Sequence, residues 1–172
     1  MEENKLQKAQ EEYLSLISKQ KSVVISSLDK EGKPYISFAP FAIDKDYNFY
    51  ILISEMSEHF FNLSKNSDAS IFLAEDENET SNIYARVRLN FSIIAKNLKE
   101  DHDLAYKLLH ERFGNMVEHL KNIDDFHFFK LVPQKGRFII GFGQAFDLLQ
   151  DDLSQLVHVK GGKGGMGHRM KK

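Results

Sequence analysis

The stretch SVVISSLDKEGKPYISFAPFAIDKDYNFYILIS, residues 22–54, decides the fold. It holds three β-rich runs, SVVISSL, YISFAPFAI and FYILIS. The segments between them, DKEGKP and DKDYN, carry turn chemistry, and Gly32 and Pro34 rule out a helix through the first. Strands joined by connections this short form a meander, because a parallel return needs a much longer crossover. Pro40 cannot donate to a ladder, so it is expected at a bulge or an edge.

Outward from this core, residues 4–19 read as a helix, with Leu6, Ala9, Tyr13, Leu14 and Ile17 on one side. After the meander, SEHFFNLSKN reads as a short helix that turns Phe60, Phe61 and Leu63 inward. ASIFLAED is a fourth strand. IYARVRLNFSIIAKNL, residues 83–98, is a long fifth strand in which Tyr84, Arg86, Arg88, Asn90 and Ser92 share one face. Residues 101–122 form a second substantial helix with Asp101 as N-cap, ended or bent at Gly114. FHFFKLVPQKGRFIIGFGQAFDLL gives two more strands around a Pro-Gln-Lys-Gly turn. Strands do not alternate with crossover helices, which argues against a doubly wound sheet. The fold class is mainly β (α+β), an antiparallel barrel with flanking helices. Three segments are expected: an N-terminal helix over 1–20, the barrel over 21–150, and a Gly-rich basic tail over 151–172.

Composition narrows the function. The chain has 172 residues, 42% of them apolar, and no cysteine. Disulfides, zinc–thiolate sites and iron–sulfur clusters are thereby excluded. The N-terminus is acidic and amphipathic, not a secretory signal, and no apolar run reaches membrane-span length, so a cytoplasmic protein without a membrane partner is expected. From Lys160 onward there are five basic residues and no acid, while the rest carries 18 basic against 25 acidic residues. An acidic body disfavours nucleic-acid binding.

Several motifs have plainer readings beside a functional one. The tail KGGKGGMGHRM, residues 160–170, cannot pack. By composition it is a disordered end. Its glycines lack the pattern of a phosphate loop. Arg86 and Arg88 could serve a carboxylate or phosphate, or sit on a solvated outer face. His102, His110, His119 and His127 form no metal-ligand spacing. GFGQAF lacks the context of a dinucleotide fingerprint, and its glycines fit a sharp bend or a close interface contact. Phe126, Phe128, Phe129, Phe138 and Phe142 are mostly core.

The element order, together with the strings APFAIDKDYNFYILISEMSEHF, FLAEDE and FHFFKLVPQKGRFIIGFGQAFDL and the Gly/His tail, resembles the split β-barrel of the pyridoxamine-phosphate-oxidase-like family. Within it the chain resembles the HugZ-type haem oxygenases from about Lys21 onward. The resemblance implies a homodimer with haem near its interface and opening of the porphyrin by O2 and an external electron donor to biliverdin, CO and iron. It implies His168 as the axial ligand of the haem iron, a role suited to a neutral imidazole. It implies Arg88 beside the haem as the catalytic arginine, with Arg86 as its neighbour in holding the haem. The segment before the first strand is shorter than in HugZ-type proteins, so any haem contact from such a segment is expected to be absent. In flavin-binding relatives the place of SEMSEHF carries Ser and Lys for the FMN phosphate. Here Glu55, Glu58 and His59 stand, which disfavours FMN. The rival readings are an FMN-dependent oxidoreductase, a non-enzymatic haem carrier, and a barrel that keeps only its dimer interface.

Overall fold

The computed structural model describes residues 2–149 and 151–159. The order is α1 (Glu2–Lys19), β1 (Ser22–Leu28), β2 (Pro34–Ile43), β3 (Phe49–Ser54), α2 (Glu58–Lys65), β4 (Asp68–Ala74), a 3₁₀ turn (Ile83–Ala85), β5 (Arg88–Asn97), α3 (Asp103–Phe113), α4 (Asn115–Lys121), β6 (Phe126–Gly141), β7 (Gln144–Leu149) and β8 (Asp152–His158). All strand pairs are antiparallel, in the order β3-β2-β1-β4-β5-β6-β7-β8, and β3 also pairs with β6. That last pairing closes six strands into a barrel, and β7–β8 extends the sheet beyond it. The expected split antiparallel barrel is the observed fold.

The meander forms as its sequence demands. Asp29 Oδ1 accepts from the backbone N–H groups of Glu31 and Lys33, and Gly32 takes φ +76°. In the second turn Asp44 accepts from the N–H groups of Asp46 and Asn48, the Asn48 amide and the Tyr50 hydroxyl. Tyr47 there adopts φ +63°, and its ring stacks on Tyr13 of α1. Pro40 sits at the last β1–β2 pair, opposite Ser22, just before β2 passes to β3.

Residues at period two fill the barrel: Val23 and Ile25 of β1, Ala39 and Phe41 of β2, Phe49, Ile51 and Ile53 of β3, Leu89, Phe91, Ile93 and Ala95 of β5. α1 plugs the barrel with Ala9, Tyr13, Leu16 and Ile17. Leu6 and Leu14, expected on that face, are 43% and 45% exposed. Tyr13 donates to the Leu153 carbonyl at 3.1 Å, tying α1 to β8. Arg112 of α3 donates to the carbonyls of Ser18 and Gln20 and lies over the Phe41 ring, which holds the end of α1 against the barrel.

Four local expectations change. The helix over 101–122 breaks at Gly114 as expected, where φ is +66°, but His102, not Asp101, stands at its N-cap. In α2, Phe61 is exposed and Asn62 is buried instead, donating to Ser27 at 3.2 Å. The buried stripe of α2 runs through Phe60, Asn62 and Leu63, which leaves Phe61 on its solvent side. The Pro-Gln-Lys-Gly segment is no turn. β6 runs through it, and the register slips between Ser92 and Ile93, which oppose Lys135 and Pro133. Gln134 is the extra residue of this bulge. Gly136 is required by packing: a Cβ there would overlap the Phe91 ring and lie 2.8 Å from the Asn90 carbonyl oxygen. The turn falls instead at Gly141–Gly143, where both glycines have positive φ. Finally, residues 152–158, assigned to the tail by composition, form β8.

Candidate functional site

The outward face of the barrel is covered in one half only. Over β3, the end of β2 and the start of β6, α3 and α4 bury Ala42, Tyr50 and Phe128 under Ala105, Leu109 and Val117. Over the remaining strands no element among the described residues lies on the sheet. There the ladder registers align side chains in rows. One row runs Phe38–Val24–Phe72–Asn90–Arg137–Asp147 from β2 to β7. The next runs Ile36–Ser26–Ser70–Ser92–Lys135–Leu149. The β2–β1–β4 side of this face is apolar, with Phe38 68% and Ile36 70% exposed. The β5–β6–β7 side is polar and cationic. It forms an open cleft of about 650 Å³ lined by Asn90, Ser92, Lys135, Arg137, Asp147 and Leu149. Arg137 Nε donates to Asp147 at 2.7 Å, so Lys135 is the cation of this pair without a carboxylate partner among the described residues.

Arg88 joins the same face one outward position along β5 from Asn90, in a third row between Ala74 and Ile139. It is half-buried, and its Nη1 donates to the carbonyl of Arg86 at 2.9 Å. Arg86 does not share its strand. β5 begins at Arg88, and residues 83–85 are a 3₁₀ turn capped by the Asn82 side chain, which accepts from the Tyr84 N–H. Alternation therefore holds from Arg88 onward and fails for Tyr84 and Arg86. Arg86 faces the acidic β4–β5 connection. Its Nε donates to the Glu75 carbonyl at 2.7 Å and its Nη1 to Glu77 Oε1 at 2.8 Å. His168 lies outside the described residues. The described chain ends with the Val159 N–H donating to the Ala145 carbonyl, level with the row that holds Arg88 and Ile139.

The β3–α2 loop is built around acids. Glu55 Oε1 lies 2.7 Å from His127 Nε2, a close approach without hydrogen-bond alignment. Ser54 Oγ donates to Asp125 at 2.6 Å. Ser57 Oγ lies 3.3 Å from His59 Nε2, and burial holds the His59 imidazole below the usual histidine range. Three other histidines meet aromatic rings: His102 stacks on Phe128, His110 lies by Tyr106, and His158 meets the edge of Phe146, while His119 is exposed. Among the described residues no group of three His, Asp or Glu side chains could hold a metal ion. No described helix is long and apolar enough to cross a membrane.

The residues missed by sequence reasoning are Lys135, Ile36 and the apolar row Phe38, Val24 and Phe72, while Asn90 and Ser92 were legible only as sharing a face with Arg88. Alternation marks all but Lys135 as outward; Lys135 takes that face because the bulge at Gln134 resets the alternation of β6. Only the ladder registers show that strands so far apart in sequence bring them onto one uncovered face.

Comparison with known proteins places this architecture. Residues 9–140 match the family model described as pyridoxamine 5'-phosphate oxidase. Heme oxygenase HutZ of Vibrio cholerae is 36% identical over 145 residues, covering 83% of this chain and 82% of HutZ. The crystal structure of HutZ, there called a heme storage protein, superposes with a TM-score of 0.69 at 31% identity, over 74% of this chain and 92% of that one. Campylobacter jejuni ChuZ superposes with a TM-score of 0.80 at 30% identity, over 96% of this chain and 67% of ChuZ. The chain belongs to the pyridoxamine 5'-phosphate oxidase family of split barrels, and within it to the group that includes HutZ and ChuZ.

Proposed function

We propose that the protein binds haem on the uncovered outer face and degrades it as a haem oxygenase, acting as a cytoplasmic homodimer in iron acquisition. The observation that carries this reading is the two-sided face itself: an exposed apolar row, Phe38–Val24–Phe72, running on into a polar cleft with Arg88 and Lys135 beside it. Haem is a flat apolar macrocycle with two carboxylates on one edge, and a face with an apolar half and a cationic half matches both parts. The names of HutZ as a heme oxygenase and a heme storage protein agree with it.

When bound, haem supplies the O2 chemistry that, with an external electron donor, opens the ring to biliverdin, CO and iron. The chain's own residues hold and orient it. Arg88 presents a guanidinium fixed by the Arg86 carbonyl, suited to a propionate or to ordering water on the haem face. The cleft floor of Asn90 and Ser92 offers further hydrogen-bonding groups. His168 is the residue that would ligate the haem iron. Residues 160–168 are nine in number and span at most roughly 30 Å when extended. Three inter-strand spacings from Val159 to Arg88 amount to about 14 Å. The tail is long enough to bring an imidazole over the face.

A second copy of the chain is the proposed cover of the part of the apolar half that haem would leave bare. FMN fits less well: Glu55 and Glu58 flank the start of α2 where a dianionic phosphate would need donors, and Glu55 is already engaged with His127.

The test is a hemin titration of the full chain and of His168→Ala, read by visible spectrum, followed by ascorbate in air with catalase present. A saturable Soret band that weakens or shifts in His168→Ala, and biliverdin on reduction, are the expected results. A stable band without biliverdin would leave a haem carrier. No saturable band in either protein would overturn the haem reading.

A further inference from the structure

The two arginines that look equivalent in sequence are given different work by the fold. Arg86 has its Nε on the Glu75 carbonyl and its Nη1 on the Glu77 carboxylate. Its side chain is 27% exposed. Around it the β4–β5 connection is closed from both sides. The Glu75 N–H donates to the Val87 carbonyl at 3.0 Å, and the Val87 N–H donates to Glu75 Oε1 at 3.0 Å. Four hydrogen bonds thus converge on Arg86 and Val87, two from the Arg86 side chain and two from the backbone groups of Val87. Their consequence is the direction of one group, the Arg86 carbonyl, which accepts from Arg88 Nη1 at 2.9 Å. A long arginine side chain loses much rotamer freedom when it is held still. A carbonyl locked by its own residue's side chain supplies that restraint, and the remaining donors of Arg88 stay available to the outer face.

We propose that Arg86 is a positioning residue for Arg88: the Glu75–Arg86–Glu77 clamp fixes the Arg86 carbonyl, which aims the Arg88 guanidinium, and Arg86 itself touches no ligand. This rests on the reading of Arg88 as a haem contact, and it reassigns Arg86 from holding haem to holding its neighbour.

The test uses the full chain with Arg86→Ala, Arg86→Lys, Glu77→Gln, Arg88→Ala and the double variant Arg86→Ala/Arg88→Ala. The first arm needs no haem. The Arg88 Nε–H resonance, assigned by its loss in Arg88→Ala, is followed for solvent exchange. Arg86→Ala is expected to speed exchange several-fold, with Glu77→Gln and Arg86→Lys intermediate. The second arm is hemin binding. Arg86→Ala is expected to weaken it and shift the Soret band in the same direction as Arg88→Ala, and the double variant is expected to match Arg88→Ala alone. An unchanged Arg88 signal in Arg86→Ala overturns the proposal, as does a double variant whose losses add. If Arg86→Ala does not fold, Glu77→Gln and Arg86→Lys decide the first arm. If the unaltered protein binds no hemin, the haem reading falls while the exchange arm still decides the positioning.

Discussion

β2 carries the comparison that explains this molecule. Its even-numbered residues all point out of the barrel, yet Ile36 and Phe38 are 70% and 68% exposed while Ala42 is buried beneath α3. One strand, with one alternation, crosses from a bare half of the outer face to a covered half. The covered half is an ordinary second core, with Tyr50, Phe128, Leu109 and Val117 packed between sheet and helices. The bare half has comparable apolar side chains and nothing described upon them. Isolated exposed hydrophobics are common, but a contiguous row beside a polar cleft marks a surface that something else covers. The difference teaches that the barrel's stability is built on its inside and on one outer half, which leaves the other outer half free for binding.

The largest expected effect breaks the covered half. Phe128→Ala removes a 4% exposed ring beneath α3 and α4 and is expected to cost about 3–5 kcal/mol in urea unfolding. A loss below about 1 kcal/mol would show that the helices are not a true second core. Next, Gly136→Ala places a methyl against the Phe91 ring and the Asn90 carbonyl, just inside the bare half. It is expected to cost about 1–3 kcal/mol. Since the bare half lacks outer cover, this measures how tightly its inner side alone is packed.

The third prediction concerns Asp44, whose carboxylate anchors Tyr50 in the covered half. Burial opposes its ionisation, but hydrogen bonds from Asn48, Tyr50 and Asp46 outweigh burial and leave it below the usual carboxylate value of 3.8. A group lowered on folding contributes stability above its unfolded value and loses it as pH falls through the folded one. Asp44→Asn is therefore expected to lose about 1 kcal/mol at neutral pH and to flatten the acid limb below pH 4. An unchanged acid limb in thermal melts between pH 2 and 5 would remove Asp44 from the account. The smallest stability effect belongs to the bare half. Phe38→Ser is expected to change the folding stability of the monomer by less than about 0.5 kcal/mol. In sedimentation analysis the same variant is expected to lose self-association. A dimer unaffected by Phe38→Ser would mean that the second copy sits elsewhere.

Much of this fold was legible in the chain. The three runs of residues 22–54 are β1, β2 and β3, and SVVISSL and FYILIS match β1 and β3 end to end. Gly114 divides the second helical region, and Leu89, Phe91, Ile93 and Ala95 face inward as their alternation requires. These features are local. A turn depends on the φ that a few residues can adopt, and a period of two or 3.6 is written in neighbouring side chains.

What failed was what depends on distant partners. Pro133 and Gly136 look like a turn, but a bulge opposite Ser92 and Ile93 absorbs the proline, and the Phe91 ring fills the space a Cβ would take. β8 reads as tail because its pairing partner β7 supplies the order its own composition lacks. Arg86 and Arg88 differ because Glu75 and Glu77 fold back onto the first.

By itself, the sequence determined the three strands and two turns of the meander, the helical regions, and which side chains of an unbroken strand share a face. Tertiary structure alone decided which outward face α3 and α4 cover, which face stays bare, and that Arg88 opens onto the bare one. The physical reason is that alternation is a property of one strand, whereas cover is a property of the closed barrel. It is set by the β3–β6 pairing and by where the chain places its helices once that pairing is made.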